Sequence, residues 1–207
     1  MKGILFKTDM IQAIVEGRKT VTRRLGGLND INMIGLDGAG QPTSPDQYRL
    51  LGIHDGLADF VRTAVATPSL NIGVVYHCKP RYQVGETVYI KEAWRPDDTF
   101  KGGGIPRLGI QFGEAVIWKA DNPDQSGKWH SPMMMPQWAA RYFILIKDVR
   151  AERLQEIPHN EVIAEGIDIT TTNYPSTKFK ELWNSINKDY PWESNPWIFK
   201  YEFELVK

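Results

Sequence analysis

Gly17-Arg18-Lys19-Thr20-Val21-Thr22-Arg23-Arg24 is the stretch on which the fold turns. It holds four cations, two threonines and no acid, in a chain whose formal net charge is zero. Before it, Ile4-Leu5-Phe6 reads as a short strand. Met10, Ile11, Ile14 and Val15 then lie at helical spacing, with Thr8 as the expected N-cap and Asp9 in the first turn. Gly17 is the natural residue to end that helix. Thr20, Val21 and Thr22 are β-branched and favour an extended chain. The stretch therefore reads as a helix end feeding a strand, with Lys19 at the hinge. In that strand Thr20, Thr22 and Arg24 share one side, and Val21 and Arg23 the other. Positive charge concentrated in a balanced protein points to capture of an anion or a phosphate-bearing ligand. The plain alternative is a solvated basic turn.

The whole chain sets bounds on that reading. At 207 residues and 42% hydrophobic content it is long enough for one packed domain with elaborations. Zero net charge argues against a protein that coats nucleic acid nonspecifically, and leaves room for a site that takes one nucleotide or a short strand. Cys78 is the single cysteine, so no intrachain disulfide forms, and a cytoplasmic location is expected. The segment from Met1 to Lys7 lacks a long apolar core and a small-residue cleavage site, so no signal peptide is expected. No run approaches the roughly 20 apolar residues of a membrane span, so no membrane partner is expected.

Residues 26–70 are rich in Gly, Asp, Asn and Pro and read as an insertion. Within it Leu57, Phe60, Val61, Ala64 and Val65 follow helical spacing up to Pro68. Strand signals return at Ile72 to Tyr76, and Gln83-Val84-Gly85-Glu86 is a turn into a strand from Thr87 to Lys91. Trp94-Arg95-Pro96 opens a second insertion, residues 96–130, with Gly102-Gly103-Gly104 and a hairpin pairing Leu108–Phe112 with Ala115–Lys119. Arg141 to Val149 reads as a central strand, apolar on both faces. A short helix follows, with Pro158 near its start and Gly166 just past Glu165. Phe179, Leu182, Trp183 and Ile186 mark an amphipathic helix capped by Ser176 or Thr177. The last strand alternates Trp197, Phe199, Tyr201, Phe203 and Leu205 with Ile198, Lys200, Glu202, Glu204 and Val206, which predicts one core face and one solvent face. The expected fold is α+β: a small β-barrel of about six strands, helices over its open end, in a single domain spanning 1–207.

Candidate chemistry centres on Lys19, Thr22 and Glu165. A lysine becomes a base or nucleophile when burial lowers its pKa. A neighbouring glutamate orients water or shuttles a proton, and a threonine hydroxyl holds a carbonyl. Periodicity alone does not bring 19 and 165 together, and by spacing they read more readily as separate surface residues. His54, His77, His130, His159 and Cys78 show no zinc spacing, so no metal is expected. Cys78 reads as a small core residue. There is no P-loop and no Gly-x-Gly-x-x-Gly. Trp94, Trp118, Trp129 and Trp138 lie near loops or strand ends. Trp138 with Arg141 reads as a groove floor for a base or phosphate, against the alternative that such tryptophans anchor loops. Met133-Met134-Met135 reads as gap filling.

Four stretches together resemble the ASCH domain family, a branch of the PUA-like β-barrel folds. They are Ile14 through Arg24, Val84-Gly85-Glu86-Thr87-Val88-Tyr89-Ile90, Ala164-Glu165-Gly166-Ile167, and the closing strand after Asn195-Pro196-Trp197. The longer form, with Pro132 to Arg141 and Asp148 to Leu154, is similar to versions carried by bacteriophages and prophages. The resemblance covers about half of the chain and leaves both insertions outside it. It implies a cleft, lined by the Lys-Thr segment and the Glu, that binds RNA or a modified nucleoside or nucleotide. Arg18, Thr20, Arg23, Arg24, Trp94, Trp138 and Arg141, read from charge and aromatic placement, are the candidate ligand contacts. Some compact relatives are amidohydrolases acting on N4-acetylcytidine. Their lysine, second threonine and glutamate correspond to Lys19, Thr22 and Glu165, and Arg24 matches a basic position beside them. A metal-independent ribonuclease is a further alternative. No cofactor enters any of these readings.

Overall fold

The computed structural model describes residues 1–33, 35–36, 42–63, 75–97, 116–122, 126–170 and 174–206, with positions 35, 36, 42 and 43 described as backbone only. In chain order the elements are β1 (Gly3–Leu5), α1 (Thr8–Val15), β2 (Val21–Arg24), α2 (Asn29–Asn32), β3 (Gly35–Leu36), β4 (Pro42–Thr43), β5 (Tyr48–His54), β6 (Leu57–Arg62), β7 (Val75–Cys78), β8 (Thr87–Lys91), β9 (Trp94–Pro96), β10 (Val116–Trp118), β11 (Phe143–Arg153), α3 (His159–Ala164), α4 (Pro175–Ile186) and β12 (Trp197–Leu205). The fold is α+β.

The main sheet runs β1-β8-β11-β12-β2. β1 is parallel to β8 and the other neighbours are antiparallel. Among the described residues β1 and β2 are its edges. The helix-to-strand reading of the basic stretch holds: Gly17 has φ +75° just beyond α1, and β2 begins at Val21. Thr8 is the first residue of α1, and the cap position belongs to Lys7.

β11 is central, as its sequence predicts, and bulges once. Ile146 pairs with Phe203 but Asp148 with Glu202, so Lys147 is an extra residue. The bulge shifts the side-chain parity. Ile144 and Ile146 face the core before it, Val149 and Ala151 after it. Ile146, Val149 and Ala151 pair on β12 with Phe203, Tyr201 and Phe199, which belong to the same cluster.

Residues 57–62 do not form the expected helix. They are β6, paired with β5 across Asp55-Gly56, whose φ angles are +50° and +74°. Asp-Gly is the preferred pair for a two-residue turn with both φ positive. Ala58 and Phe60 point into the core while Leu57, Asp59 and Val61 are only partly covered, a strand's alternation. Ala64 and Val65 lie outside the described residues. The sheet β5-β6-β7 packs Tyr48, Ala58, Phe60 and Cys78 into the same core as β12. Phe60 meets Trp197 edge-on at 4.9 Å between ring centroids. Asn32 clamps the start of β12: its Nδ2 donates to Trp197 O, and Trp197 N donates to Asn32 Oδ1, both at 2.7 Å. Part of the 26–70 segment is thus one wall of the core.

The last strand does not have a solvent face along its first half. Ile198 and Lys200 are as buried as Phe199 and Tyr201. α3 and α4 cover that side with Val162, Phe179 and Trp183, packed on Ile198 and Leu154. α4 starts at Pro175, a residue suited to the first helical position, so neither Ser176 nor Thr177 is the cap. Trp94-Arg95-Pro96 is strand β9, not the start of a loop, and Trp94 pairs with Trp118 of β10. The glycine triplet and residues 108–115 of the expected hairpin lie outside the described residues. Among the described residues no helix is long and apolar enough to cross a membrane.

Candidate functional site

Two glycines set the site. Gly17 ends α1 and Gly166 follows α3, with φ +75° and +89°. The chain just past Gly17 and the residue just before Gly166 form a β-bridge, Lys19 with Glu165. Thr20 N donates to Ala164 O at 3.0 Å, and Lys19 N donates to Ala13 O at 2.9 Å. These backbone bonds place two side chains far apart in sequence against one another.

Lys19 and Glu165 are each only 4% exposed. Lys19 Nζ donates to Glu165 Oε2 at 2.7 Å, to Glu165 O at 2.6 Å and to Val21 O at 2.8 Å. An ammonium has three N–H donors, so all three are in use. Burial pushes the Lys19 pKa below its ordinary value, against the pull of Glu165. Glu165 Oε1 accepts from Arg23 Nη1 at 3.1 Å.

Arg23 continues the network. It donates to Glu152 Oε1 at 2.8 Å and pairs with Glu161. Burial opposes its charge, but Glu165 and Glu152 outweigh it, and the guanidinium is held above its ordinary pKa. Arg23 and Lys200 are register partners across β2 and β12, so they share a face of the sheet. Glu161 accepts from both, Lys200 at 2.8 Å, and Lys200 also reaches Glu202 at 2.9 Å. Burial works against ionised Glu161, but bonds from Lys200 and Arg23 hold its pKa below the usual value. The network explains how Lys200 is buried on a strand whose alternation marked it for solvent.

Above Lys19 and Glu165 lies a cavity of about 360 Å³ between the β2 edge and α4. Thr22, Arg23 and Arg24 line it from β2 with Leu25 just beyond, Phe6 from the link between β1 and α1, Met10 from the first turn of α1, and Phe179, Leu182, Trp183 and Ile186 from α4. Thr22 is 3% exposed, and its hydroxyl makes no hydrogen bond among the described residues. Arg24 Nη2 donates to Leu5 O at 2.6 Å, and its guanidinium carbon stands 5.1 Å from the Phe6 ring centroid. A floor of polar groups under apolar walls, at the small end of the roughly 300–1,000 Å³ range, is the anatomy of a small-molecule site.

Lys19, Thr22 and Glu165 thus meet at one cavity, with Arg23 and Arg24. The other candidates lie elsewhere. Arg18 is exposed and pairs with Glu16 at 2.7 Å, and Thr20 is exposed. Trp94 and Trp138 pack edge-on at 5.7 Å in a separate cluster with Val116, Met135 and Ala139. Arg141 stacks 4.6 Å from both Trp118 and Tyr142 and binds buried Glu92 through two bonds of 2.9 Å. None of these residues lines the cavity. Sequence reasoning did not place Phe6, Leu25 or the α4 wall at the site. The amphipathic spacing of Phe179, Leu182, Trp183 and Ile186 was the only signal, and it does not say what an apolar face covers.

Among the described residues no group of three or more His, Cys, Asp or Glu is arranged to hold a metal. Comparison with protein-family models, with curated proteins and with solved structures finds no match to this chain.

Proposed function

We propose that this chain binds a modified nucleoside, free or at an exposed position in RNA, in the cavity between β2 and α4. The reading treats it as a long ASCH-type domain on a PUA-like framework, with the five-stranded sheet as the barrel wall. The observation that carries the proposal is the convergence of Lys19, Thr22 and Glu165 on the floor of one cavity of about 360 Å³. A space of that size suits one base and its sugar rather than a strand. Phe6 and Trp183 offer aromatic surface to a base. The hydroxyl of Thr22, which has no protein partner among the described residues, suits an exocyclic carbonyl.

A second reading, amide hydrolysis of an N-acyl nucleoside, has its own support in the 2.7 Å contact between Glu165 and a lysine whose pKa burial lowers. As an ammonium, Lys19 has no lone pair to use. Passage of one proton to Glu165 Oε2 leaves a neutral amine and a carboxylic acid. The amine takes a proton from water as the water oxygen bonds to the acyl carbon. Glu165 returns its proton to the leaving nitrogen as the C–N bond breaks. The products are the carboxylic acid and the free nucleoside amine, with Lys19 and Glu165 restored to charge. Thr22 donates to the acyl oxygen through the tetrahedral intermediate.

The test is calorimetric binding and turnover of N4-acetylcytidine by the native protein and by Thr22→Val, an isosteric change that leaves the ion network whole. Binding weakened in the variant supports the site. Cytidine released by the native protein and lost in the variant adds the hydrolytic reading. Equal binding by both proteins rules out Thr22 as a ligand contact and with it this pose.

A further inference from the structure

Of the four cations in the Gly17–Arg24 stretch, three have carboxylate partners. Arg18 is paired with Glu16, Lys19 with Glu165, and Arg23 with Glu152, Glu161 and Glu165. Arg24 differs. Among the described residues it has no acid within ion-pair distance. Its contacts are the Leu5 carbonyl and the face of Phe6, and its buried Nε has no acceptor. Burial lowers the Arg24 pKa, an uncommon state for a guanidinium. A half-buried guanidinium with no carboxylate in contact suits a bound anion, which supplies the opposite charge and the acceptors it lacks.

The rest of the cavity points the same way. Lys7, at its rim, is exposed, and among the described residues its ammonium meets only Ser185 Oγ, at 3.3 Å. Of the lining cations, Lys19 is paired with Glu165, and Arg23 with Glu165 and with Glu152 and Glu161 behind it, so Arg24 and Lys7 are the two without a carboxylate partner among the described residues. Neutral ligands leave these two charges uncompensated.

We infer that the ligand carries a phosphate monoester, which docks on Arg24 with Lys7 at the rim, so that the cavity takes a nucleoside monophosphate or a terminal nucleotide in preference to a free nucleoside. The planar guanidinium fork suits a phosphate oxygen pair. The inference rests on the reading of this cavity as a nucleoside site and adds to it the charge of the ligand.

The test compares cytidine, N4-acetylcytidine and the other common nucleosides with their 5′-monophosphates and with inorganic phosphate, by calorimetry on the native chain, Arg24→Met, Arg24→Lys and Lys7→Met. The monophosphate is expected to bind at least about ten-fold more tightly than its nucleoside. That ratio is expected to collapse in Arg24→Met, to recover in part in Arg24→Lys and to narrow in Lys7→Met. Raising salt from about 50 to about 300 mM is expected to weaken only the monophosphate. If Arg24→Met does not fold, Lys7→Met, on an exposed side chain, and the salt series decide. Equal affinity for nucleoside and monophosphate overturns the phosphate inference and leaves the nucleoside site standing. A phosphate preference untouched by the variants and by salt overturns it too. No binding of any probe overturns both. Binding of inorganic phosphate alone, at the affinity of the monophosphate, keeps the anion site and removes the nucleoside.

Discussion

Lys19 Nζ donates to Glu165 Oε2 at 2.7 Å although 146 positions separate the two residues. The same carboxylate holds Arg23 through its other oxygen at 3.1 Å. Glu165 is thus the shared acid of two buried cations, and the ion network behind it fixes its rotamer. In the resting state neither Lys19 nor Glu165 is a free acid or base. The hydroxyl of Thr22 and the guanidinium of Arg24 are the polar groups that the cavity floor offers to a ligand.

Lys19→Met leaves Glu165 with Arg23 as its only cation and leaves two carbonyls, Val21 O and Glu165 O, without the donor they now accept from. Removing one partner of a buried pair costs about 3–5 kcal/mol. The variant is expected to lose that much in urea unfolding, and the double variant Lys19→Met/Glu165→Gln to lose less than the two single changes added together. A loss under about 1 kcal/mol for Lys19→Met means that water reaches the pair. Activity lost in a lysine variant has meaning only beside such a stability measurement.

The two glycines that flank the pair separate conformational strain from close contact. Gly17 has φ +75° with nothing within 4 Å of an added Cβ. Gly166 has φ +89°, and a Cβ there stands 3.0 Å from Lys19 Cβ and 3.2 Å from Ala13 Cβ. Gly17→Ala is expected to cost the left-handed strain alone, about 1–2 kcal/mol. Gly166→Ala carries the same strain and also pushes Lys19 away from Glu165, so its thermal midpoint is expected to fall further. Equal midpoints for the two variants sink the close-approach argument.

Much of this architecture is visible in the sequence, and the gaps have specific causes. The turn from α1 into β2 follows from Gly17 and a β-branched run, and the central place of β11 from apolar residues on both faces. The β5–β6 hairpin was equally available in Asp55-Gly56. Leu57, Phe60 and Val61 fit helical spacing by accident, and turn chemistry outweighs a short periodic match. Lys200 misleads for a different reason. A lysine in an alternating strand signals solvent unless something neutralises it; Glu202 lies two along on the same face, but Glu161 comes from α3, which spacing does not link to it. The cavity was half legible. Most of its floor lies in one continuous stretch, but Glu165 joins it from 146 positions away and its far wall is a helix whose partner only tertiary packing reveals.

Cys78 gives the alkaline limb of stability a single-site probe. Burial raises its thiol from 9.0 to about 11. A raised pKa means that the folded chain holds the proton more tightly than the unfolded chain does. The contribution is therefore complete below about pH 9 and is lost as pH rises through about 11. Native stability is expected to fall relative to Cys78→Ala across that window, on guanidinium unfolding at matched pH. The thiol is expected to react slowly with a disulfide reagent near neutrality, since the thiolate is the nucleophile. A constant stability difference between the two proteins from pH 8 to about 11 removes the thiol as the cause.

Phe60 tests whether the 26–70 segment is an accessory or part of the fold. It is fully buried, sits on β6 and meets Trp197 at the first position of β12. β12 carries the register that positions Arg23 against Lys200, so the core beneath Phe60 supports the strand beneath the cavity. Phe60→Ala is expected to destabilise the whole domain by about 3–5 kcal/mol, the range for a deleted core aromatic. Native-state hydrogen exchange is expected to show β12 and β6 losing protection together. If the amides of β6 open alone while β12 keeps its protection, the segment is a separable cover, and the compact framework around Lys19 and Glu165 folds without it.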